Sequence, residues 1–282
     1  MLLLTRRPCN RAVLLLVRAR GGGEHFRQSN VTRSSCLKPL HPIVRRLLPQ
    51  PLRKRREQRL IARSHVRNAA RSASDVFAEI YKKKMWSNWG DKDRFCSGSG
   101  SSGEAADAYQ QLVVNFIKEH GVRSVVDVGC GDFRIGRALA EHVALYTGVD
   151  VVEELIEHHR EHHASESVRF LYKDAVSDPL PEADLCLVRQ VLQHLSNDQI
   201  LGVLNNIRGY RYVLVTEHYP VSSADFVPNR DKIHGADIRA ATGSAVVLQA
   251  PPFNWPEGKL VLSVPLGSKG EIRTFLFVRG SS

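Results

Sequence analysis

Val125-Val-Asp-Val-Gly-Cys-Gly-Asp132 joins a β-branched apolar run directly to a pair of glycines. A short run of this kind is typical of a strand buried in a parallel sheet. Gly129 and Gly131 allow a tight turn and let the backbone approach a ligand without an intervening Cβ atom. Open α/β sheets bind ligands at the carboxyl ends of such strands. The segment therefore predicts a central parallel strand with a ligand site at its end.

Strand-like and helix-like patterns alternate around this segment. We predict helices at 74–84, 105–120, 135–142, 153–162 and 197–207, and strands at 124–128, 144–149, 168–172, 183–188 and 212–216. Such alternation over short connections is typical of a parallel sheet covered on both faces. After residue 216 it stops, and turn residues at 267–270 separate apolar runs at 259–265 and 272–278, which predicts an antiparallel hairpin. The predicted fold class is α/β, with a mostly parallel seven-stranded sheet and an antiparallel last strand.

Three carboxylates stand at the ends of three successive predicted strands: Asp127, Asp150 and Asp174. Arg134 occupies the third glycine position of a dinucleotide fingerprint, so the sequence does not favour a diphosphate ligand. Asp127 instead suits a cation such as a sulfonium amino acid, and Asp150 is placed to accept hydrogen bonds from two ribose hydroxyls. Asp174 and the adjacent backbone N–H suit the edge of an adenine. A single strand-end aspartate is often only a helix cap or turn former, but the three together predict a site for an adenosyl sulfonium.

Asp127-Val-Gly-Cys-Gly131, Gly148-Val-Asp150 and Asp174 resemble motifs of class I S-adenosylmethionine-dependent methyltransferases, and the resemblance covers residues 105–282. It implies a Rossmann-like methyltransferase fold, S-adenosyl-L-methionine as cofactor and methyl transfer as the reaction. It also implies that Asp127 and the glycines hold the methionine end, Asp150 the ribose and Asp174 the adenine. The cofactor-binding set implied in this way is Asp127, Gly129, Cys130, Gly131, Asp150, Val151, Asp174, Ala175 and Arg189.

Cys130-Gly-Asp-Phe133 resembles the first motif of a narrower, mainly bacterial group of these enzymes. Further matches are Ile80-Tyr81, Trp86, Ser97-Gly-Ser-Gly-Ser-Ser102, and Val188-Arg189 with His194-Leu-Ser196. In that group Pro stands at the position of Gly129, Asn-Trp at that of Arg134-Ile135, and Asp at that of Gln190. By composition alone, the serine-glycine run is either a flexible linker or an ordered loop over a ligand. The resemblance implies that it closes over the cofactor, and that residues 187–190 line the methyl-transfer pocket.

Methyl transfer from a sulfonium depends on alignment and exclusion of water more than on a strong base. His194 is a candidate base for an acceptor that keeps its proton, because an unperturbed imidazole titrates near neutral pH. A histidine packed at a helix start is the alternative explanation. Roughly forty residues separate the fifth strand from the hairpin, and such insertions often form a substrate lid. Candidate substrate-pocket residues are Gln190, His218, Asn229 and Arg239.

The N-terminal 72 residues differ in charge from the rest of the chain. They contain 18 Lys and Arg and 2 acidic residues, a net charge of +16. Residues 73–282 contain 22 Lys and Arg and 27 acidic residues, a net charge of −5, and the two parts add up to the total of +11. Residues 1–72 are predicted to be a disordered leader or an organelle transit segment, with Arg53-Lys-Arg-Arg56 as an alternative nucleic-acid or nuclear-import patch. Residues 73–104 follow with a helix and the serine-glycine run, ahead of the methyltransferase-like part, 105–282. A transit segment implies mitochondria or plastids; otherwise we expect a cytoplasmic protein.

The remaining composition limits cofactors and partners. No Cys-x-x-Cys pair occurs among Cys9, Cys36, Cys96, Cys130 and Cys186. This pattern predicts neither a disulfide framework nor a metal site. No run approaches the roughly 18 apolar residues that cross a bilayer. The net negative charge of residues 73–282 and the resemblance favour a small-molecule or sugar- or lipid-linked methyl acceptor over nucleic acid. The alternatives are an organellar RNA or protein methyltransferase and an inactive cofactor-binding partner subunit.

Overall fold

The computed structural model describes residues 50–87 and 93–279. The helices in this part of the chain are α1 (Gln50–Asn68), α2 (Ala73–Lys82), α3 (Glu104–His120), α4 (Arg134–Ala140), α5 (Glu153–His163) and α6 (Asn197–Ile207). The strands are β1 (Ser124–Val128), β2 (Leu145–Asp150), β3 (Val168–Tyr172), β4 (Leu185–Arg189), β5 (Tyr212–Tyr219), β6 (Lys259–Pro265) and β7 (Glu271–Val278). Among the described residues, no helix combines the length and the apolar character that a membrane crossing requires.

The seven strands of the described residues form one sheet in the order β3-β2-β1-β4-β5-β7-β6. Strands β1 to β5 are parallel, whereas β7 runs antiparallel to both of its neighbours, β5 and β6. The strand order reverses between β1 and β4, which is where open α/β sheets bind ligands. The predicted α/β fold class, with its antiparallel last strand, is confirmed.

Both faces of the sheet are covered, because successive side chains of a strand point to opposite faces. On one face Val126 and Val128 of β1 belong to a buried cluster with side chains of α2 and α6. On the other face Val125 packs in a second cluster with side chains of α3 and α4. This burial explains why β1 is apolar except for Ser124 at its start and Asp127 near its carboxyl end.

The predicted element bounds agree well with the structure. Strands β1 and β3 and helix α6 have the bounds expected from the sequence. The largest difference is in β5, which continues to Tyr219 instead of ending at residue 216. Its last residues are stabilised by pairing with β7, where His218 lies opposite Ile272 and Tyr219 opposite Glu271. A partner strand so distant in the sequence leaves no local signal.

Helix α1 lies in the range assigned to the leader, where no regular structure was expected. Its carboxyl end packs on the domain: the Asn68 side chain donates a hydrogen bond to the His234 carbonyl at 3.0 Å. A ring nitrogen of His65 lies 3.2 Å from the Asp237 carboxylate. Residues 50–68 are thus helical in the structure. Residues 1–49 of the predicted leader or transit segment, 1–72, lie outside the described residues, and that assignment stays a prediction.

Candidate functional site

Residues 129–132, which we call the glycine turn, follow β1. Gly129 and Gly131 have φ angles of 71° and 56°, a region that L side chains rarely adopt. The Gly129 backbone N–H donates to the Val149 carbonyl at 2.8 Å, which fixes the turn against β2. An added Cβ would collide with the Val191 side chain at Gly129 and with the Ser97 hydroxyl at Gly131. Both geometry and packing therefore require glycine here.

Asp127 is a buried carboxylate at the end of β1, beside the glycine turn. It accepts a hydrogen bond from the Tyr146 hydroxyl at 2.5 Å. Burial raises the pKa of Asp127 to about 6, while the Tyr146 hydrogen bond and the Arg189 charge act in the opposite direction. The Tyr146 hydrogen bond and the Arg189 charge do not offset the effect of burial on this carboxylate. A cationic ligand would favour its charged form, so the site suits such a ligand.

Asp150 is a second buried carboxylate, at the end of β2. It accepts hydrogen bonds from the backbone N–H groups of Gly131 at 3.3 Å and Val152 at 3.1 Å. Burial raises its pKa to about 6, and these backbone donors oppose the shift. Asp174 follows β3 and accepts from the Val176 N–H at 2.9 Å. Each aspartate thus shapes its own turn and remains at the tip of its strand.

One cavity joins these strand ends. All nine predicted cofactor-binding residues line it: Asp127, Gly129, Cys130, Gly131, Asp150, Val151, Asp174, Ala175 and Arg189. Gln190 and His194, predicted for the substrate pocket and for catalysis, line the same cavity. The structure therefore brings the three carboxylates and the glycine turn around one common space.

The serine-glycine run is an ordered loop of this cavity. The Ser97 backbone N–H donates to the Asp132 carboxylate at 2.9 Å, and the Asp132 backbone N–H donates to the Ser97 hydroxyl at 2.8 Å. The Ser101 hydroxyl also donates to the Asp132 carboxylate at 3.1 Å. Since Ser97, Gly100 and Ser101 all line the cavity, the run is fastened to the glycine turn instead of acting as a free linker.

Phe77, Tyr81 and Trp86, which we call the aromatic wall, line the same cavity. The ring centroids of Tyr81 and Trp86 are 5.4 Å apart, and those of Phe77 and Trp86 are 6.1 Å apart. The Trp86 indole N–H donates to the Ala236 carbonyl at 3.3 Å, which fixes the ring. Sequence reasoning noted Tyr81 and Trp86 only as motif matches. The amphipathic pattern of α2 indicates a packed helix and does not reveal that part of its apolar face borders a cavity.

Arg189 and Gln190 bring buried donors to the end of β4. The Arg189 guanidinium donates to the Gly100 carbonyl at 2.6 Å and lies 5.0 Å from the Tyr109 ring centroid. Arg189 Nε and Gln190 Nε2 are buried and have no hydrogen-bond partner among the described residues. Buried donors are normally paired, so two unpaired ones beside a cavity point to a ligand with acceptor oxygens.

His194 ends a one-turn 3-10 helix, Leu192–His194, that follows β4. Its Nδ1 lies 3.1 Å from the Gly235 carbonyl, so Nδ1 carries the proton and Nε2 keeps a lone pair. Its ring centroid is 5.0 Å from that of Trp86. Burial, and secondly the Lys232 charge, lower the pKa of His194 to about 4. The imidazole is therefore neutral at physiological pH.

Glu217 positions this turn and was not identified from the sequence. It is buried on β5 and accepts hydrogen bonds from the N–H groups of Leu192 at 2.9 Å and Gln193 at 3.1 Å. Burial raises the pKa of Glu217 to about 8, although these donors oppose the shift. Glu217 lies just beyond the predicted strand, 212–216, so no local pattern indicated that it is buried or which groups it contacts.

Three predicted substrate-pocket residues, His218, Asn229 and Arg239, are not among the residues that line the cavity. His218 extends from β5 toward the hairpin, where its Nε2 lies 2.7 Å from the Lys269 carbonyl. It therefore fastens the turn between β6 and β7.

Asn229 and Arg239 instead hold together the irregular segment between β5 and β6. The Asn229 side chain donates to the carbonyls of Val247 at 2.8 Å and Pro251 at 2.9 Å. The buried Arg239 guanidinium donates to the Leu195 carbonyl at 2.7 Å. The Asn229 amide and the Arg239 terminal nitrogens bond to the backbone of this segment and of the turn after β4, so these side chains are directed away from the cavity.

Comparison with known proteins agrees with this geometry. Residues 125–210 match a protein family described as a methyltransferase domain. The chain is 30% identical over 81 residues to a ubiquinone biosynthesis O-methyltransferase of Coxiella burnetii, covering 27% of this chain and 35% of that protein. It thus spans about a third of the length of the curated relatives that it matches.

Two solved structures are similar to the fold. The N-methyltransferase NodS of Bradyrhizobium japonicum, in complex with S-adenosylhomocysteine, has a TM-score of 0.51 and 14% identity, over 73% of this chain and 100% of that one. Human N-acetylserotonin methyltransferase, in complex with S-adenosylmethionine, has a TM-score of 0.47 and 14% identity, over 77% of this chain and 62% of that one. The NodS likeness confirms the Rossmann-like methyltransferase fold, and the family match covers residues 125–210 of it. The narrower bacterial group stays a prediction.

Proposed function

We propose that this chain binds S-adenosylmethionine in the cavity and transfers its methyl group to a small-molecule acceptor. One observation carries the proposal: Asp127, Asp150 and Asp174, from three neighbouring strand ends, line a single cavity with the glycine turn. The solved neighbours in complex with S-adenosylhomocysteine or S-adenosylmethionine support the choice of cofactor.

The charges of the cavity suit the methionyl end of this cofactor. Asp127 would pair with the ammonium group, which favours the carboxylate that burial otherwise disfavours. The unpaired donors Arg189 Nε and Gln190 Nε2 would bind the carboxylate group. Asp150 would accept from the ribose hydroxyls and Asp174 from the adenine amine. Each assignment gives a partner to a polar side chain of a residue that lines the cavity.

When bound, the cofactor supplies a methyl group on a sulfonium, which is transferred by in-line displacement. The chain's own contribution is to align the acceptor and exclude water. The aromatic wall lines the cavity and offers an apolar surface for this purpose. His194 Nε2 keeps a lone pair that can take a proton from the acceptor as the new bond forms. Its low pKa keeps that lone pair free of a proton, although it also makes the imidazole a weak base.

The aromatic wall also supports the class of acceptor. Three aromatic rings beside a neutral imidazole favour an acceptor with a flat or apolar body, held by stacking and burial. The relative from Coxiella burnetii, named for O-methylation in ubiquinone biosynthesis, agrees with an acceptor of that character. We therefore favour a small molecule over a macromolecule as the acceptor.

The test has two parts. Isothermal titration of the full chain with S-adenosylhomocysteine is expected to give saturable binding that is lost in Asp150→Asn and kept in the surface control Asp198→Asn. The full chain is then incubated with methyl-labelled cofactor and size-fractionated lysate, and label is expected in the small-molecule fraction. Absence of binding, or binding undiminished by Asp150→Asn, contradicts the cofactor assignment. Binding without transfer to any fraction points instead to an inactive partner subunit.

One feature favours a second candidate, an RNA methyltransferase. Arg55, Arg59, Arg63 and Arg67 recur at intervals of four along α1 and are exposed. A row of this kind suits a phosphate backbone, and binding driven by phosphates weakens steeply as salt is raised. If the full chain has no salt-sensitive affinity for RNA, and label stays out of the RNA fraction, this candidate is excluded.

A further inference from the structure

Four histidines lie within one and a half turns of α5: His158, His159, His162 and His163. They form two pairs spaced four residues apart, His158 with His162 and His159 with His163. Residues with this spacing are neighbours on the surface of a helix. None of the four lines the cavity described above. The proposed methyl transfer therefore leaves this cluster without a role.

His159 has the contacts of a histidine prepared to bind a metal. It is 2% exposed, and its Nε2 lies 2.7 Å from the Gly131 carbonyl, so Nε2 carries the proton. Its Nδ1 is buried and has no hydrogen-bond partner among the described residues. Metal-binding histidines typically donate their other N–H to a carboxylate or a backbone carbonyl, which fixes the ring and the tautomer. His159 has that donor bond, and its second nitrogen is unused.

The rings of His158 and His163 lie close to that of His159. Ligand atoms of His158, His159 and His163 all lie within 4.8 Å of one another. Two imidazole nitrogens bound to one tetrahedral Zn²⁺ ion at about 2.0–2.1 Å lie about 3.4 Å apart. His158 and His163 are partly exposed, and rotation of their side chains can bring the nitrogens closer by the roughly 1–1.5 Å that this geometry requires.

Two exposed arginines oppose a cation at this site: Arg94 near His158 and Arg137 beside His163. An Arg137 guanidinium nitrogen lies 3.3 Å from His163 Nε2. Arg137 is exposed, so its side chain can turn to solvent when a metal binds. The cost of moving an exposed arginine is small compared with the free energy of coordinating a metal.

We propose that His158, His159 and His163 form a binding site for one divalent transition metal ion, of which Zn²⁺ is the best match. Imidazole nitrogens suit Zn²⁺, Ni²⁺ and Cu²⁺, and three of them leave at least one coordination position for water. Through the bond from His159 to the Gly131 carbonyl, the ion fastens α5 to the glycine turn. The site needs no cysteine, which is why the cysteine pattern gave no sign of it.

The test is titration of the full, metal-stripped chain with ZnCl₂, and separately with NiCl₂, by calorimetry. We expect one equivalent to bind, with affinity at least about tenfold weaker in His159→Gln and in His163→Gln. His162→Gln, on the same helix, and His142→Gln, on the exposed surface, are expected to bind like the wild type. A hundredfold excess of Zn²⁺ over the wild-type dissociation constant is expected to raise the thermal midpoint of the wild type by about 5–10 °C, and that of His163→Gln by about half as much or less.

Three outcomes overturn the proposal. The first is absence of saturable binding to the wild type. The second is binding lost in His162→Gln but kept in His159→Gln, which assigns the metal to the exposed pair His158 and His162. The third is loss of affinity in His142→Gln as well, which indicates non-specific association. If His159→Gln does not fold by circular dichroism, His163→Gln and His158→Gln decide the matter.

Discussion

Replacing Asp127 by asparagine is expected to stabilise the ligand-free protein at neutral pH while weakening cofactor binding. Asparagine has nearly the same shape and can still accept the hydrogen bond from Tyr146. It cannot carry the negative charge that burial makes unfavourable. Because the folded pKa of Asp127 is about 6 against an ordinary 3.8, wild-type stability falls as pH rises from about 4 to 6 and stays lowered above that.

The size of the effect follows from that shift. A difference of about 2 pKa units corresponds to about 3 kcal/mol at high pH, and to about 2 kcal/mol between pH 4.5 and pH 8. Any packing cost of the amide is the same at both pH values. The stability difference between Asp127→Asn and wild type is therefore expected to become more favourable to the variant by about 2 kcal/mol over this interval.

Urea unfolding of the two proteins at pH 4.5 and pH 8 measures this change directly. Asp198→Asn, which removes an exposed aspartate, is the control and is expected to change stability by less than about 0.5 kcal/mol. Titration with S-adenosylhomocysteine at pH 8 is expected to show about 10- to 100-fold weaker binding to Asp127→Asn, the loss of one charged hydrogen bond. A variant less stable than wild type by equal amounts at both pH values refutes the reasoning, because burial would then not penalise the charge.

Three further substitutions test other parts of the site. Gly129→Ala places a Cβ against the Val191 side chain at a φ of 71°, and is expected to lower stability by about 1–3 kcal/mol and S-adenosylhomocysteine affinity with it; unchanged titration curves contradict this. His194→Gln is expected to lower kcat by about 10²- to 10⁴-fold if the imidazole takes the acceptor's proton, and wild-type kcat at saturating cofactor should fall as pH drops toward about 4, where His194 becomes protonated. Equal pH profiles for variant and wild type assign His194 a packing role. Asn229→Ala removes the amide that donates to several loop carbonyls and is expected to cost about 2–4 kcal/mol in urea unfolding, with cofactor affinity unchanged; a loss of affinity at full stability restores Asn229 to the ligand site.

The sheet was predictable because its information is local. β1 is a β-branched run that ends in two glycines, and the side-chain periods of strand and helix alternate clearly after it. The strand-end positions of Asp127, Asp150 and Asp174 then follow from topology, since parallel strands end at one edge. The additional length of β5 was missed, because it depends on pairing with a strand more than fifty residues later.

The residues on the acceptor side of the cavity were harder to predict from local sequence patterns. Phe77 and Trp86 fit a packed amphipathic helix and its end equally well, so spacing alone does not assign them to a cavity. Asn229 and Arg239 are polar residues in an irregular stretch, a pattern shared by loop anchors and by ligand contacts. Both side chains donate to backbone carbonyls whose positions depend on the path of the whole segment, and no short sequence pattern describes that path.

The aromatic wall comes from a part of the chain that precedes the sheet. The match to the methyltransferase domain family begins at residue 125, whereas Phe77, Tyr81 and Trp86 lie some forty residues upstream of it. On the proposed function, the residues that shape the acceptor side of the cavity precede the sheet, whereas most of those that hold the methyl donor lie at the strand ends. Substitutions at Phe77, Tyr81 and Trp86 would therefore change which compound is methylated more than they change the affinity for the donor.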